Sequence, residues 1–125
     1  MRQLLVIDDE AHVARVIQVS FERDGWRVSS ASQLEDALHE IRTSRFDVIF
    51  LDVKLPDGSG LDFLKKLREG EDAIETPVIV LSGAEFAGVR QTVKDLGGYY
   101  VAKPFSPSKL KTMVNDILGR TDQNI

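Results

Sequence analysis

Val48-Ile49-Phe50-Leu51 runs straight into Asp52, and Pro56-Asp57-Gly58-Ser59-Gly60 follows. An unbroken apolar run of this kind, inside a segment from Phe46 to Leu51, suits a strand covered on both faces, as a central strand of a parallel sheet is. Its C-terminal end delivers a carboxylate. The turn-rich segment behind it makes Asp52 the start of a loop leading to a helix that carries Leu61, Leu64 and Leu67.

The same order of elements repeats on both sides of this unit. Leu4-Leu5-Val6-Ile7 reads as a first buried strand that ends in Asp8-Asp9-Glu10, and Val13, Ala14, Ile17 and Phe21 then recur at helical spacing up to Gly25. Arg27 to Ala31 is a shorter strand, after which Ser32 can cap a helix bearing Leu34, Ala37, Leu38 and Ile41. Downstream, Thr76-Pro77 introduces the strand Val78-Ile79-Val80-Leu81, which meets Ser82-Gly83. A helix with Val89, Val93 and Leu96 inward follows and stops at Gly97 or Gly98, a pair expected to loosen that end. Tyr99 to Ala102 is a fifth strand closed by Lys103-Pro104. Leu110, Met113, Val114, Ile117 and Leu118 stripe the last helix before Gly119. Five alternating strand and helix units predict an α/β fold with one parallel sheet and helices on both faces, since parallel strands need right-handed crossovers. Residues 1–119 read as one domain and 120–125 as a C-terminal tail or the start of a linker.

Composition narrows the function classes. The 125 residues include 16 Lys plus Arg against 20 Asp plus Glu, a net charge of -4, with 42% hydrophobic residues and no cysteine. This suits a chain that buries a real core without disulfides or structural zinc. No apolar run approaches the roughly 18 residues that suggest a bilayer span, and no signal-peptide pattern precedes the first strand, so the cytoplasm is the expected location and no membrane partner is expected. Without a basic block, nucleic-acid binding by this domain itself is not expected.

Ligands of such sheets lie beyond the strand C-termini. The residues at those ends are Asp8, Asp9, Asp52, Ser82 and Lys103. Carboxylates about 5 Å apart repel by roughly 3 kcal/mol per pair at an effective dielectric of about 20, so a positive group belongs among them. Hard oxygen donors without nearby His or Cys favour Mg²⁺. Lys103 and Ser82 would then clamp phosphoryl oxygens around a carboxylate nucleophile, for which Asp52 is the candidate.

Across Met1 to Leu118 the sequence resembles the receiver domain of bacterial two-component response regulators. The resemblance rests on Asp8-Asp9 after the first strand, Leu51-Asp52 with Pro56 and Gly60, Ser82 after the fourth strand, and Tyr100-Val101-Ala102-Lys103-Pro104-Phe105. Each is weak alone; their joint order and spacing are specific. The resemblance implies a flavodoxin-like, doubly wound (βα)5 fold with strand order 2-1-3-4-5. It implies a phosphorylation switch in which the histidine of a histidine kinase or histidine phosphotransfer protein donates a phosphoryl group to Asp52. Asp9, Asp52 and the backbone carbonyl of Lys54 would bind Mg²⁺ directly, with Asp8 acting largely through water. Ser82 and Lys103 would hold phosphoryl oxygens, and the Lys103-Pro104 peptide would be cis. Tyr100 would be the switch aromatic, turning inward with Ser82 and changing the surface of the fourth helix, fifth strand and fifth helix. A downstream protein target or a fused output domain would read that surface, and a phosphorylation-dependent homodimer is compatible with it. Such a chain is a self-phosphorylating phosphoacceptor rather than a turnover enzyme. The resemblance also implies that Lys54 and Ala84 would flank the path of the hydrolytic water; neither side chain can orient it, which predicts slow autodephosphorylation.

Plainer readings stand beside these. Asp8 or Asp9 could cap the first helix, Ser82 could cap the fourth, and Tyr100 could simply pack. His12 and His39 fall within helices, away from the strand ends. Trp26 covers an apolar edge, and Glu69, Glu71, Asp72 and Glu75 read as a solvated loop. An aspartate-nucleophile phosphatase is one rival function, but the haloacid-dehalogenase pattern needs a second Asp where Lys54 stands. A flavin mononucleotide module is another, and Asp8-Asp9 would repel its phosphate. An unphosphorylated protein-interaction scaffold is the third, disfavoured by the full set of charged residues.

Overall fold

The computed structural model describes residues 1–83 and 88–123, with side chains described through residue 119. Its elements in chain order are β1 (Gln3–Ile7), α1 (Ala11–Glu22), β2 (Arg27–Ala31), α2 (Leu34–Thr43), β3 (Val48–Asp52), β4 (Lys54–Leu55), β5 (Gly58–Ser59), α3 (Gly60–Glu69), β6 (Val78–Ser82), α4 (Val89–Asp95), β7 (Tyr99–Ala102) and α5 (Pro107–Gln123). Five strands form one parallel sheet in the order β2-β1-β3-β6-β7. Counted without the two-residue strands β4 and β5, this is the expected order 2-1-3-4-5 of a doubly wound fold.

The central strands are apolar at successive positions because each alternate residue serves a different core. Leu5, Ile7, Ile49, Leu51, Val78 and Val80 pack with Ala37 of α2, with Phe63, Leu64 and Leu67 of α3, and with Val89 and Val93 of α4. Leu4, Val6, Val48, Phe50, Ile79 and Leu81 face the other way, onto Val13, Ile17 and Phe21 of α1 and Leu110, Val114 and Ile117 of α5. Burying each large apolar side chain contributes about 1.5–3 kcal/mol, so the sheet interior is where the fold's stability is concentrated. Trp26 packs at the edge of the α1–α5 layer, edge-on to Phe21 with ring centroids 5.6 Å apart.

Three local expectations change. The segment after Asp52 is an antiparallel ribbon, β4 paired with β5, where the turn residues suggested only a loop. Ser32 does not cap α2: the amides of Leu34 and Glu35 donate to the Asp57 carboxylate at 2.7 and 3.0 Å. A residue 23 positions away in the chain supplies the cap because the ribbon lies against the start of that helix. Third, α5 continues through Gly119 to Gln123, since Gly119 does not take the left-handed backbone of a glycine C-cap. Gly97 does turn, with φ 71°, and Gly98 donates to the Val93 carbonyl at 2.8 Å, closing α4 in a six-to-one cap. A Cβ at Gly98 would come within 3.1 to 3.3 Å of Val93 and Leu64, so this position is closely packed.

At the end of the sheet opposite the carboxylates, Arg68 ties three segments together. Its guanidinium donates to the carbonyls of Leu96 (3.2 Å), Ile74 (2.9 Å) and Thr76 (2.9 Å). Asp72, in the acidic loop, is held by Arg42 of α2 through two bonds of 3.0 and 2.9 Å.

The Asp57 cap generates a stability prediction. The two amide donors hold the Asp57 carboxyl below the ordinary carboxylate range. A depressed folded value means stabilisation that is present above the unfolded pKa and lost as pH falls through the folded one. Asp57→Ala is therefore expected to lower the melting temperature at pH 7 and to speed amide exchange at Leu34 and Glu35. Its deficit relative to the wild type should close as the solution is acidified, and a deficit independent of pH would contradict the cap.

Candidate functional site

Register assembles the site. Ile7 stands opposite Leu51, Asp52 opposite Leu81, and Ser82 opposite Ala102, so Asp8, Asp52, Ser82 and Lys103 fall at the ends of successive strands. The Lys103 amide also donates to the Ser82 carbonyl at 2.8 Å, continuing the ladder by one step. The Lys103-Pro104 peptide is cis, as the resemblance implied.

The Lys103 ammonium lies among three carboxylates, donating to Asp8 Oδ2 at 2.9 Å, Glu10 Oε1 at 3.1 Å and Asp52 Oδ2 at 3.3 Å. Its side chain is only 13% exposed, and that of Asp8 is fully enclosed. Burial works against the charge of Lys103, but its bonds to Asp8 and Glu10, with the charges of Asp8 and Asp52, outweigh that and hold its pKa above the ordinary lysine value. For Asp8, burial dominates and raises the carboxyl. The Glu10 amide, which donates to Oδ1 at 2.9 Å, and Lys103 oppose the rise, whereas the Asp52 charge adds to it.

Asp52 is buried, and its Oδ1 accepts from the Val53 amide at 2.7 Å, leaving Oδ2 toward Lys103. Gly60 is what lets this loop close. Its amide donates to the Val53 carbonyl at 2.7 Å, and any Cβ at position 60 would overlap the Asp52 carbonyl oxygen. Helix α3 can start there only with glycine.

Of the residues singled out in the sequence, the structure brings Asp8, Asp52 and Lys103 into direct contact. Ser82 is buried at the end of β6, and Tyr100 lies half-buried on β7 with its ring against the core. Asp9 is exposed and lies outside the cluster. The carboxylate oxygens within 4.8 Å of one another belong to Asp8, Glu10 and Asp52. This set of hard oxygen donors fits a metal ion of the oxygen-preferring kind. Glu10 is not among the residues that the sequence singles out for the site. Its spacing from Lys103 carries no signal, because the contact exists only once β1 and β7 lie in one sheet. Lys54 is exposed at the start of β4, and Ala84 lies outside the described residues. His12 and His39 are exposed on α1 and α2, with His12 3.6 Å from Glu10.

A doubly wound sheet with a carboxylate on its central strand, faced by an acid and a lysine from its neighbours, defines the class. The chain belongs to the response regulator receiver domain family, whose model matches residues 4–115. It is 36% identical over 119 residues to the probable transcriptional regulatory protein TcrX of Mycobacterium tuberculosis, covering 94% of this chain and 50% of that one. It is 35% identical over 121 residues to the KDP operon transcriptional regulatory protein KdpE of Escherichia coli, covering 96% and 52%. The chain thus spans about half the length of these curated relatives. Among solved structures, the receiver domain of the Francisella response regulator 1452 superposes with a TM-score of 0.87 at 34% identity, covering 97% of this chain and 99% of that one. Among the described residues no helix is long and apolar enough to cross a membrane.

The raised Asp8 carboxyl carries a prediction. The folded state holds this proton more tightly than the unfolded chain, so Asp8 detracts from stability at neutral pH. The loss is relieved as pH falls through the raised folded value. Asp8→Asn should raise the melting temperature of the metal-free protein at pH 7, a gain that shrinks on acidification. Calorimetric melts across pH decide it, and a lower melting temperature at pH 7 would mean that the bond to Lys103 outweighs burial.

Proposed function

We propose that this chain is the phosphoacceptor switch of a two-component system and that Asp52 is the residue phosphorylated. The observation that carries the reading is the Lys103 ammonium held between the buried Asp8 and Asp52 carboxylates, at 2.9 and 3.3 Å. A fixed positive charge beside a carboxylate at a strand end is what an attack on phosphorus needs, since it screens two anions that must meet.

In the reaction, the Asp52 carboxylate forms a bond from oxygen to phosphorus while the bond from nitrogen to phosphorus of a partner's phosphohistidine breaks. The departing electron pair stays on the imidazole nitrogen, which takes a proton from solvent. Lys103 exchanges a carboxylate partner for a phosphoryl oxygen and stabilises the charge that moves onto it. Ser82 donates its hydroxyl to a second phosphoryl oxygen. By the family resemblance Asp9, Asp52 and the Lys54 carbonyl would hold Mg²⁺ directly, with Asp8 acting largely through water; Asp9 would turn in from its exposed position to do so, and the bound ion would neutralise charge on the transferring group. Glu10 belongs to the same cluster of acids.

The donor is a histidine kinase or histidine phosphotransfer protein, and the readout is the surface of α4, β7 and α5, seen by a downstream protein or a fused output domain. The relatives' names, both transcriptional regulators about twice as long, support a fused arrangement in which a receiver unit that α5 closes is joined to an output domain. A homodimer formed on phosphorylation and a cytoplasmic location accord with this role.

Incubation with acetyl phosphate and Mg²⁺, followed by borohydride trapping, is expected to label the wild type at Asp52 and to leave Asp52→Asn unlabelled. Full labelling of that variant would place the acceptor elsewhere. The lifetime is a separate expectation. Lys54 and Ala84 supply no acceptor for a proton of the attacking water, so the acyl phosphate should last minutes or longer. The double variant Lys54→Asn with Ala84→Glu should lose phosphate faster, and equal or slower loss means that another feature sets the rate.

A further inference from the structure

Arg90, on the exposed side of α4, brings its guanidinium carbon to 4.4 Å from the centroid of the Tyr100 ring. Tyr100 stands opposite Val80 on β7 and packs against the core layer formed by α2, α3 and α4. Its hydroxyl is buried and has no hydrogen-bond partner among the described residues. Two opposing effects therefore meet in one side chain. Burying the ring is favourable and so is the cation on its face, whereas a buried hydroxyl without a partner is unfavourable and would gain one by reaching water. Of these opposing contributions, the one from Arg90 is the one that a surface substitution can remove.

We infer that Arg90 is a positioning residue that holds Tyr100 inward before any phosphoryl group arrives, and so sets how much conformational work phosphorylation of Asp52 has left to do. This rests on the proposed phosphoacceptor role. A planar guanidinium stacks on an aromatic face better than an ammonium does, so Lys at position 90 should replace Arg only in part. If the inward ring is the conformation that accompanies an occupied site, a protein already biased toward it binds a phosphoryl mimic more tightly, by the factor that the bias contributes.

The experiment uses the full chain with fluorine- or carbon-labelled tyrosine, followed by NMR with and without beryllofluoride and Mg²⁺, in the wild type, Arg90→Gln, Arg90→Lys and Arg90→Gln with Tyr100→Phe. Without ligand, Arg90→Gln should move the Tyr100 resonance toward its solvent-exposed position, and Arg90→Lys should move it less. Half-saturation by beryllofluoride should need about 3- to 10-fold more ligand in Arg90→Gln. The added Tyr100→Phe should restore tight binding, because the hydroxyl that favours the outward ring is gone. An unmoved Tyr100 resonance with unchanged beryllofluoride affinity in Arg90→Gln would overturn the inference. A wild type whose site resonances ignore beryllofluoride would overturn the phosphoacceptor role instead, and the ligand-free resonance would still decide the role of Arg90.

Discussion

The ammonium of Lys103 and the carboxylates around it form the constraint on which the rest of the structure turns. Asp8 and Asp52 come from adjacent strands, and without a cation between them their charges would push the ends of β1 and β3 apart. One lysine at the end of β7 serves both, and Glu10 reaches the same ammonium from the partly exposed side. The arrangement still carries more negative than positive charge. That excess leaves the cluster receptive to a further cation, while burial, with a smaller contribution from the Asp52 charge, raises the Asp8 carboxyl.

Holding these groups in register requires that the loop after Asp52 be stiff. Gly60 lets α3 begin against the Asp52 carbonyl, and the β4–β5 ribbon fills the space between that point and the start of α2. Asp57 then joins the ribbon to α2 through two backbone amides. A displacement of the Asp52 backbone is therefore resisted by two helices as well as by the sheet. Arg68 does the corresponding work at the opposite end, where its guanidinium satisfies carbonyls of segments that share no ladder. The sheet is thus clamped at both ends by side chains reaching across the chain.

The face formed by α4 and β7 is built differently. Its central side chain, Tyr100, has a buried hydroxyl without a partner among the described residues, under a cation from a helix of seven residues. A short helix and one unsatisfied polar atom tie this face down less firmly than the side-chain clamps tie the site. For the proposed phosphoacceptor role, a stiff site beside a more loosely held face would let a change at Asp52 be passed on rather than absorbed where it occurs.

The sequence alone determined the strand and helix order, because runs such as Leu4–Ile7 and Val78–Leu81 are apolar at every position and only a sheet covered on both faces accepts them. It also determined which polar residues end those strands, since Asp8, Asp52, Ser82 and Lys103 directly follow or close the apolar runs. It could not show that Glu10 shares Lys103 while Asp9 faces outward, that Asp57 rather than Ser32 caps α2, that α5 runs past Gly119, or that Arg90 covers Tyr100. Local periodicity is a property of neighbours in the chain and survives in the sequence. A bond between residues 93 apart, such as that between Lys103 and Glu10, depends on how strands are laid side by side, and only the tertiary structure decides it.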